Sequence, residues 1–280
     1  MSESEMGRLR RDYHRNVFEK VLRVSEQGTP NNADGSSRVS SGIAGVIVQR
    51  IGLPTSSDAI AGQTAGRRFE EATRVFLRDA FELLQHLRPG DWEFSIGGDI
   101  QDFAQYRHLA DVARLTKRHR ELRTVFGDYI VKPDIVVQRN PETDETLDAT
   151  GALLCGPDAA THTPLRQSNS EWPILHASVS CKWTIRSDRS QNARTEGLNL
   201  IRNRKGKSPH IVVVTAEPLP SRIASLAFGT GDIDCLYHFA LPELEAAASE
   251  HGESDAEIVD MLVSGGRLRD ISDLPFDLVT

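Results

Sequence analysis

Cysteine is scarce in this 280-residue chain: there are three, Cys155, Cys181 and Cys235, an odd number at wide spacing. Such a set excludes a disulfide framework and a clustered zinc site, and it fits reduced thiols. Cys235 and His238 stand close in sequence, but two ligands with no others nearby read as ordinary strand residues. No apolar run approaches the length of a membrane-spanning helix, so no membrane partner is expected. The opening MSESEMGRLRRDYHR has charge but no apolar stretch, so no secretory signal is read and a cytoplasmic location is expected. Internal repeats and low-complexity tracts are also missing, and nothing in the composition marks a second domain. Residues 1–280 therefore read as one domain.

What is present is ordinary for a globular protein: 39% hydrophobic and 26% charged residues, which excludes wholesale disorder. The formal net charge of −7 argues at first against a nucleic-acid partner. The distribution argues the other way. Between Lys182 and Lys207 eight basic residues face two acids, Asp188 and Glu196, a local excess of six positive charges. A solvated helix face would look similar, but at that density in an acidic chain DNA contact is the better reading.

Along the chain, residues 5–24 show helical spacing (Leu9, Tyr13, Val17, Val21), followed by a turn-rich loop, GTPNNADGSS, and a short apolar segment, SGIAGVIVQRIG. AGRRFEEATRVFLRDAFELLQHLRPGDW predicts a long amphipathic helix with Phe69, Val75, Phe76, Ala80, Leu83, Leu84 and Leu87 inward, ended by Pro89 and Gly90. A further helix is expected over about 102–126, then a strand in YIVKPDIVVQR and an irregular excursion over 140–171. PILHASVSCKWTI predicts a buried strand, SDRSQNARTEGLNLIRNR a helix, PHIVVVTAE a strand, PSRIASLA a short helix and IDCLYHFAL a last strand before the C-terminal helices. Strands alternating with helices imply an α/β sheet covered on both faces.

Hydrolysing a phosphodiester needs a positioned water, neutralisation of charge developing on the phosphate, and help for the departing 3′-oxygen. Carboxylates holding Mg²⁺ beside a lysine supply all three. Pro133-Asp134 leads into one strand and Lys182 lies near the end of another. Period-two alternation puts Leu175, Ala177, Val179, Cys181 and Trp183 on one face of that second strand as core. His176, Ser178, Ser180 and Lys182 fall on the other, facing something polar. A lone PD with a distant K arises often by chance; the cluster is more specific. Glu196 lies 14 residues beyond Lys182, far enough for a following helix to return a carboxylate to the lysine. Its plainer role is pairing with an arginine of its own helix. Glu70 is a further acidic candidate, with a first-turn glutamate favouring the helix dipole as the alternative.

Directly after the lysine comes Arg186-Ser187-Asp188-Arg189. Arginine reads guanine O6 and N7 in bidentate fashion and a carboxylate accepts from cytosine N4, so this quartet is equipped to read G·C pairs. It also serves as an N-capping sequence, and both roles are compatible. An acid inside a DNA-facing basic stretch has no use in phosphate binding, which tilts the balance toward base readout.

With these residues in view, the chain resembles the type II restriction endonucleases of the PD-(D/E)XK superfamily, in particular the NgoMIV-like group. The likeness is dense in HASVSCKWTIRSDRSQNARTEGLNLIRNRKGKSPHIVVVTAEPLPSRI, GTGDIDCLYHFAL and RLRDISDLP, and extends to NADGSS, GQTAG, LQHLRPGDW and PDIVV in the N-terminal half. The resemblance implies a restriction-endonuclease-like α/β fold with a central mixed sheet flanked by helices. It also implies Mg²⁺-dependent hydrolysis of double-stranded DNA to 5′-phosphate ends, and the target GCCGGC. It makes Asp134 and the Cys181 carbonyl metal ligands, gives Lys182 the attacking water, and completes the acidic site with Glu70 and Glu196. Arg186, Asp188 and Arg189 would read the central CCGG, and Asp34, Gln63 and Arg222 the outer pairs. It further implies a homodimer assembling to a homotetramer, and pairing with a cognate DNA methyltransferase. One departure is visible: two residues before the lysine, where the superfamily pattern has Asp or Glu, stands Ser180, at the DNA-facing end of its strand. In the subgroup resembled, the next helix supplies that acid, here Glu196. Two competing readings are a repair or structure-specific nuclease of the same superfamily, and a non-catalytic DNA-binding protein.

Overall fold

The β-branched segments pair into one sheet. The computed structural model describes residues 3–118, 121, 131–185, 187–229 and 231–280, and for 187–191 the backbone alone. Helices α1 (Glu5–Lys20), α2 (Arg38–Ile51) and α3 (Gly62–Leu84) precede the first strand, and α4 (His108–Arg118) and the one-turn α5 (Asp144–Leu147) follow it. The strands β1 (Trp92–Ile96), β2 (Ile135–Arg139), β3 (Ile174–Lys182), β4 (His210–Thr215), β5 (Cys235–His238) and β6 (Leu268–Asp270) lie side by side in that order. β1–β2 and β2–β3 are antiparallel; β3 through β6 are parallel. Parallel neighbours require crossovers. They are supplied by α6 (Ser187–Asn203), by α7 (Pro220–Ala227), and by α8 (Leu241–His251) with α9 (Glu253–Ser264); α10 (Leu274–Leu278) ends the chain. Among the described residues no helix is long and apolar enough to cross a membrane.

Several elements depart from the pattern expected of the sequence. SGIAGVIVQRIG forms most of α2, capped by the Ser37 side chain and closed by Gly52 in the left-handed region (φ 68°). β1 and β6 are additional short strands, and the helix expected over 102–126 begins only at His108, after a 3₁₀ turn at Ile100–Asp102; 119–120 and 122–126 lie outside the described residues. On α3, Phe69, Phe76, Ala80 and Leu84 are buried as expected, but Val75 is only partly buried, and Leu83 and Leu87 are exposed. The helix stops at Leu84, so Leu87 belongs to the turn beyond it, while Leu77 and Phe81 take the inner positions one turn along.

The alternation of β3 holds from Ala177 to Trp183, which join the main core, and fails at Leu175, which joins a smaller core on the opposite face with Tyr106, Val136 and Ile211. The cause is a bulge. Val137 pairs with Ala177 but Gln138 pairs with Leu175, so His176 is an extra residue and the strand turns over beyond it. His176 and Ser178 are themselves buried, which restricts the polar face to the Ser180–Lys182 end. The His176 ring packs edge-on to Trp92 and His210, and its Nε2–H donates to the Leu278 carbonyl at 2.6 Å; burial lowers its pKa to about 3, so it is neutral. All three cysteines are buried free thiols, and Cys235 and His238 are β5 core residues.

Candidate active site

Antiparallel pairing explains why Asp134 and Lys182, 48 residues apart, meet. Ile135 pairs with Val179, which brings the start of β2 beside the end of β3. Asp134 Oδ2 accepts from the Cys181 N–H (2.8 Å), the Ser180 hydroxyl (3.2 Å) and Lys182 Nζ (3.1 Å). The lysine is further fixed from β4, where the Thr215 hydroxyl (2.8 Å) and the Ala216 N–H (3.2 Å) donate to its carbonyl. Sequence reasoning misses Thr215, because it lies on a strand whose neighbours give no hint of register.

Two further carboxylates converge on this pair. Glu70 sits more than two turns into α3, which begins at Gly62, so the first-turn dipole role does not apply. Its neighbour Phe69 is fully buried against Trp183, with ring centroids 5.2 Å apart. Burying a phenylalanine contributes about 1.5–3 kcal/mol, and here it anchors the turn that presents Glu70. Burial raises the Glu70 pKa, and the Asp134 charge raises it further, against the pull of Lys182 and Arg67. Burial also raises the pKa of Glu196, with Lys182 opposing and Asp134 adding to the shift. Among the described residues Glu196 forms no ion pair; the arginine nearby, Arg194, is committed to Asp232 at 2.9 Å. That removes helix-surface pairing as its evident role.

The position of Glu196 depends on how closely α6 approaches the loop before β5. Arg194 clamps α7 by donating to the Leu226 (3.0 Å) and Phe228 carbonyls. At Gly197 an added Cβ would stand 2.3 Å from the Asp232 carbonyl oxygen, a backbone atom that cannot swing aside. Gly197→Ala is therefore expected to lift α6 and Glu196 with it. Overpacking of this kind costs about 1–3 kcal/mol. A lowered Tm together with a cleavage rate at least about tenfold below the wild type, the equivalent of 1.36 kcal/mol in the barrier, is the expected pair of results; a rate equal to the wild type would show that α6 need not be held so close.

Among the described residues no three His, Cys, Asp or Glu side chains stand in a preformed metal-binding arrangement. The chemistry of the group nonetheless suits a hard divalent cation: three carboxylates, two of them with their pKa raised first by burial, face one ammonium. Burial keeps the Cys181 thiol protonated, so the oxygen donors are the relevant ones.

A second constellation lies next to the first. Asp34, Gln63 and Arg222 line one open groove of about 900 Å³ together with Trp183, Thr184 and Ile185. Arg222 pairs with Asp34, whose pKa is held down to about 2 by the Ser36 hydroxyl and then by Arg222. Arg186 lies outside the described residues, as do the side chains of Asp188 and Arg189; the backbone of Asp188 and Arg189 belongs to the first turn of α6, shortly after Ile185 of the groove lining.

The family model of the NgoMIV restriction enzyme matches residues 13–280, with the acidic site and the groove both inside the match. The chain belongs to the NgoMIV restriction enzyme family. It is also 48% identical over 277 residues, 96% of either chain, to the type II restriction enzyme NgoMIV of Neisseria gonorrhoeae. Its class of activity is thus that of a type II restriction endonuclease, a site-specific deoxyribonuclease, and its mixed six-stranded sheet flanked by helices is the restriction-endonuclease-like fold. Family membership decides against the repair-nuclease and non-catalytic readings, which the residues alone left open.

Proposed function

We propose that the enzyme binds double-stranded DNA at GCCGGC and hydrolyses one phosphodiester in each strand with Mg²⁺, leaving 5′-phosphate and 3′-hydroxyl ends. The observation that carries this reading is the convergence of Asp134, Lys182, Glu70 and Glu196 beside the groove that gathers Asp34, Gln63 and Arg222. Asp134, Glu70, Glu196 and the Cys181 carbonyl are the groups that would hold the cation. When bound, Mg²⁺ supplies neutralisation of charge on the phosphate and a lower pKa for a ligated water. Lys182 Nζ donates to the attacking water and orients it in line with the phosphorus–O3′ bond. Ser180 and the Cys181 N–H keep Asp134 turned toward the scissile phosphate.

Arg186, Asp188 and Arg189 read the central CCGG from the major groove. Arg222 and Asp34 offer a cationic donor and a carboxylate acceptor side by side, the complement of an outer G·C pair, and Gln63 adds an amide from α3. A palindrome calls for two-fold symmetry, so the working unit is a dimer; the resemblance to the NgoMIV-like group adds that two such dimers assemble to a tetramer that cuts two sites in concert. The enzyme works in the cytoplasm with a methyltransferase that protects the same sequence.

Run-off sequencing of the ends made from a plasmid of known sequence tests target and cut position together; ends mapping to any other sequence reject the assignment. A two-site plasmid is expected to be linearised faster than a one-site plasmid, and oligonucleotide duplex carrying the site is expected to accelerate the latter. Equal rates without activation would indicate independently acting dimers.

A further inference from the structure

The chain buries one more carboxylate, outside the acidic site. Glu217 is fully buried, two residues past the end of β4. Its Oε2 accepts from the Ile185 N–H (2.7 Å), its Oε1 accepts from the Leu219 N–H (3.2 Å), and Arg222 Nη1 stands 3.9 Å from Oε1. Its own N–H donates to Thr215 Oγ1 (3.1 Å), the hydroxyl that holds the Lys182 carbonyl. A buried carboxylate is costly unless its oxygens are satisfied, and an apolar residue would fill this space at lower cost. Two acceptor oxygens serving two N–H groups in separate segments are what a carboxylate provides and an amide or a hydroxyl does not.

The two segments are those that carry the base-reading candidates. Ile185 immediately precedes Arg186. Leu219 leads into α7, which has no side-chain cap of its own, and Arg222 sits in its first turn. Arg222, a third exposed, stands between Glu217 on the inside and Asp34 on the outside. The loop bearing Asp34 is tied to the same stretch, because Asn32 Nδ2 donates to the Ala216 carbonyl at 2.7 Å. Two carboxylates flanking one guanidinium fix a side chain that would otherwise lose rotamer freedom on binding.

Resting on the proposed base-reading role of the groove, we propose that Glu217 is a positioning residue for base discrimination. It fixes Arg222, and through it Asp34, relative to the segment that opens at Arg186, so that outer and inner base pairs are read in one register. The outer pair depends on it more, since Arg222 meets Glu217 through its side chain whereas the inner readers meet it only through the Ile185 backbone.

The test compares kcat/KM on duplexes containing GCCGGC, ACCGGT (outer pair changed) and GCTAGC (inner pairs changed) for the wild type, Glu217→Gln and Leu219→Pro. Glu217→Gln turns an amide nitrogen toward one of the two N–H groups. Leu219→Pro deletes the other partner at a backbone (φ −87°, ψ 114°) close to what proline adopts, between Pro218 and Pro220, and it keeps the test decisive should the first variant not fold. The expected result for Glu217→Gln is a preference for GCCGGC over ACCGGT reduced about tenfold or more, one base contact's worth. Preference over GCTAGC should fall less, and Leu219→Pro should shift both in the same direction by a smaller factor. A merely structural role would lower Tm and all three rates together; that outcome, or unchanged preferences, overturns the role of Glu217. A wild type that cuts GCCGGC and ACCGGT equally overturns the target reading itself, and the proposal with it.

Discussion

Asp134→Asn is expected to eliminate cleavage while leaving specific DNA binding in place. Asparagine keeps an acceptor oxygen for the Cys181 N–H and the Ser180 hydroxyl, so the β2–β3 junction stays satisfied and only the charge is lost. Asp134→Ala removes both, and an orphaned backbone N–H costs about 1–3 kcal/mol, which would blur the result with instability. Loss of the charge forfeits several kcal/mol of metal-dependent stabilisation of the phosphate, roughly 10³-fold or more in rate at 1.36 kcal/mol per factor of ten. Binding does not need that charge. A carboxylate facing a phosphate without metal repels it, so in metal-free buffer the variant should hold the cognate duplex as well as the wild type or better. Single-turnover cleavage in Mg²⁺ and gel shift without it separate the two effects. Cleavage within tenfold of the wild type would remove Asp134 from the site.

The sequence makes the chemistry more legible than the packing. The Asp134–Lys182 pair is readable because antiparallel neighbours place a strand start against a strand end, and both flanking segments are dense in β-branched residues. Glu196 is readable because a helix of that length folds back over the strand it follows. Two of the misplaced faces, on β3 and on α3, come down to a shift of register or helical phase that only tertiary pairing reveals. The extra residue His176 sends Leu175 to the other face, and strict alternation cannot anticipate a bulge. On α3 a helical stripe drifts by part of a turn, so Leu83 and Leu77 are ambiguous until the sheet beneath decides between them. β1 and β6 are short and pair at the edges, where patterning is weakest. Thr215, Glu217 and Gly197 are invisible for another reason: their significance lies in backbone groups of segments remote in sequence, and a side-chain alphabet does not encode those partners.

The position where the superfamily motif is broken yields the sharpest expectation about catalysis. The phosphate constrains where a carboxylate oxygen must sit, not which backbone segment delivers it. The Ser180 hydroxyl already points at Asp134 from 3.2 Å, so a glutamate at that position projects into the same site. Glu196 reaches it from α6, half-buried and within the fields of Lys182 and Asp134, with no ion pair among the described residues to explain its burial. Glu196→Ala is therefore expected to lower turnover by about 10²-fold or more, the scale of removing one preorganised charged group from a reacting centre. Losing an exposed ion pair would cost only about 0–1 kcal/mol of stability and no turnover. Folding should be preserved or improved, since a partly buried carboxylate whose pKa is raised by burial favours its own removal. Adding Ser180→Glu to that variant should restore part of the rate, because the charge returns from the strand side at a different angle. Near-wild-type cleavage by Glu196→Ala would end the idea that α6 supplies the missing acid. A folded, DNA-binding double variant without any recovery would leave Glu196 in its role and show that the strand position cannot deliver an oxygen to the same place.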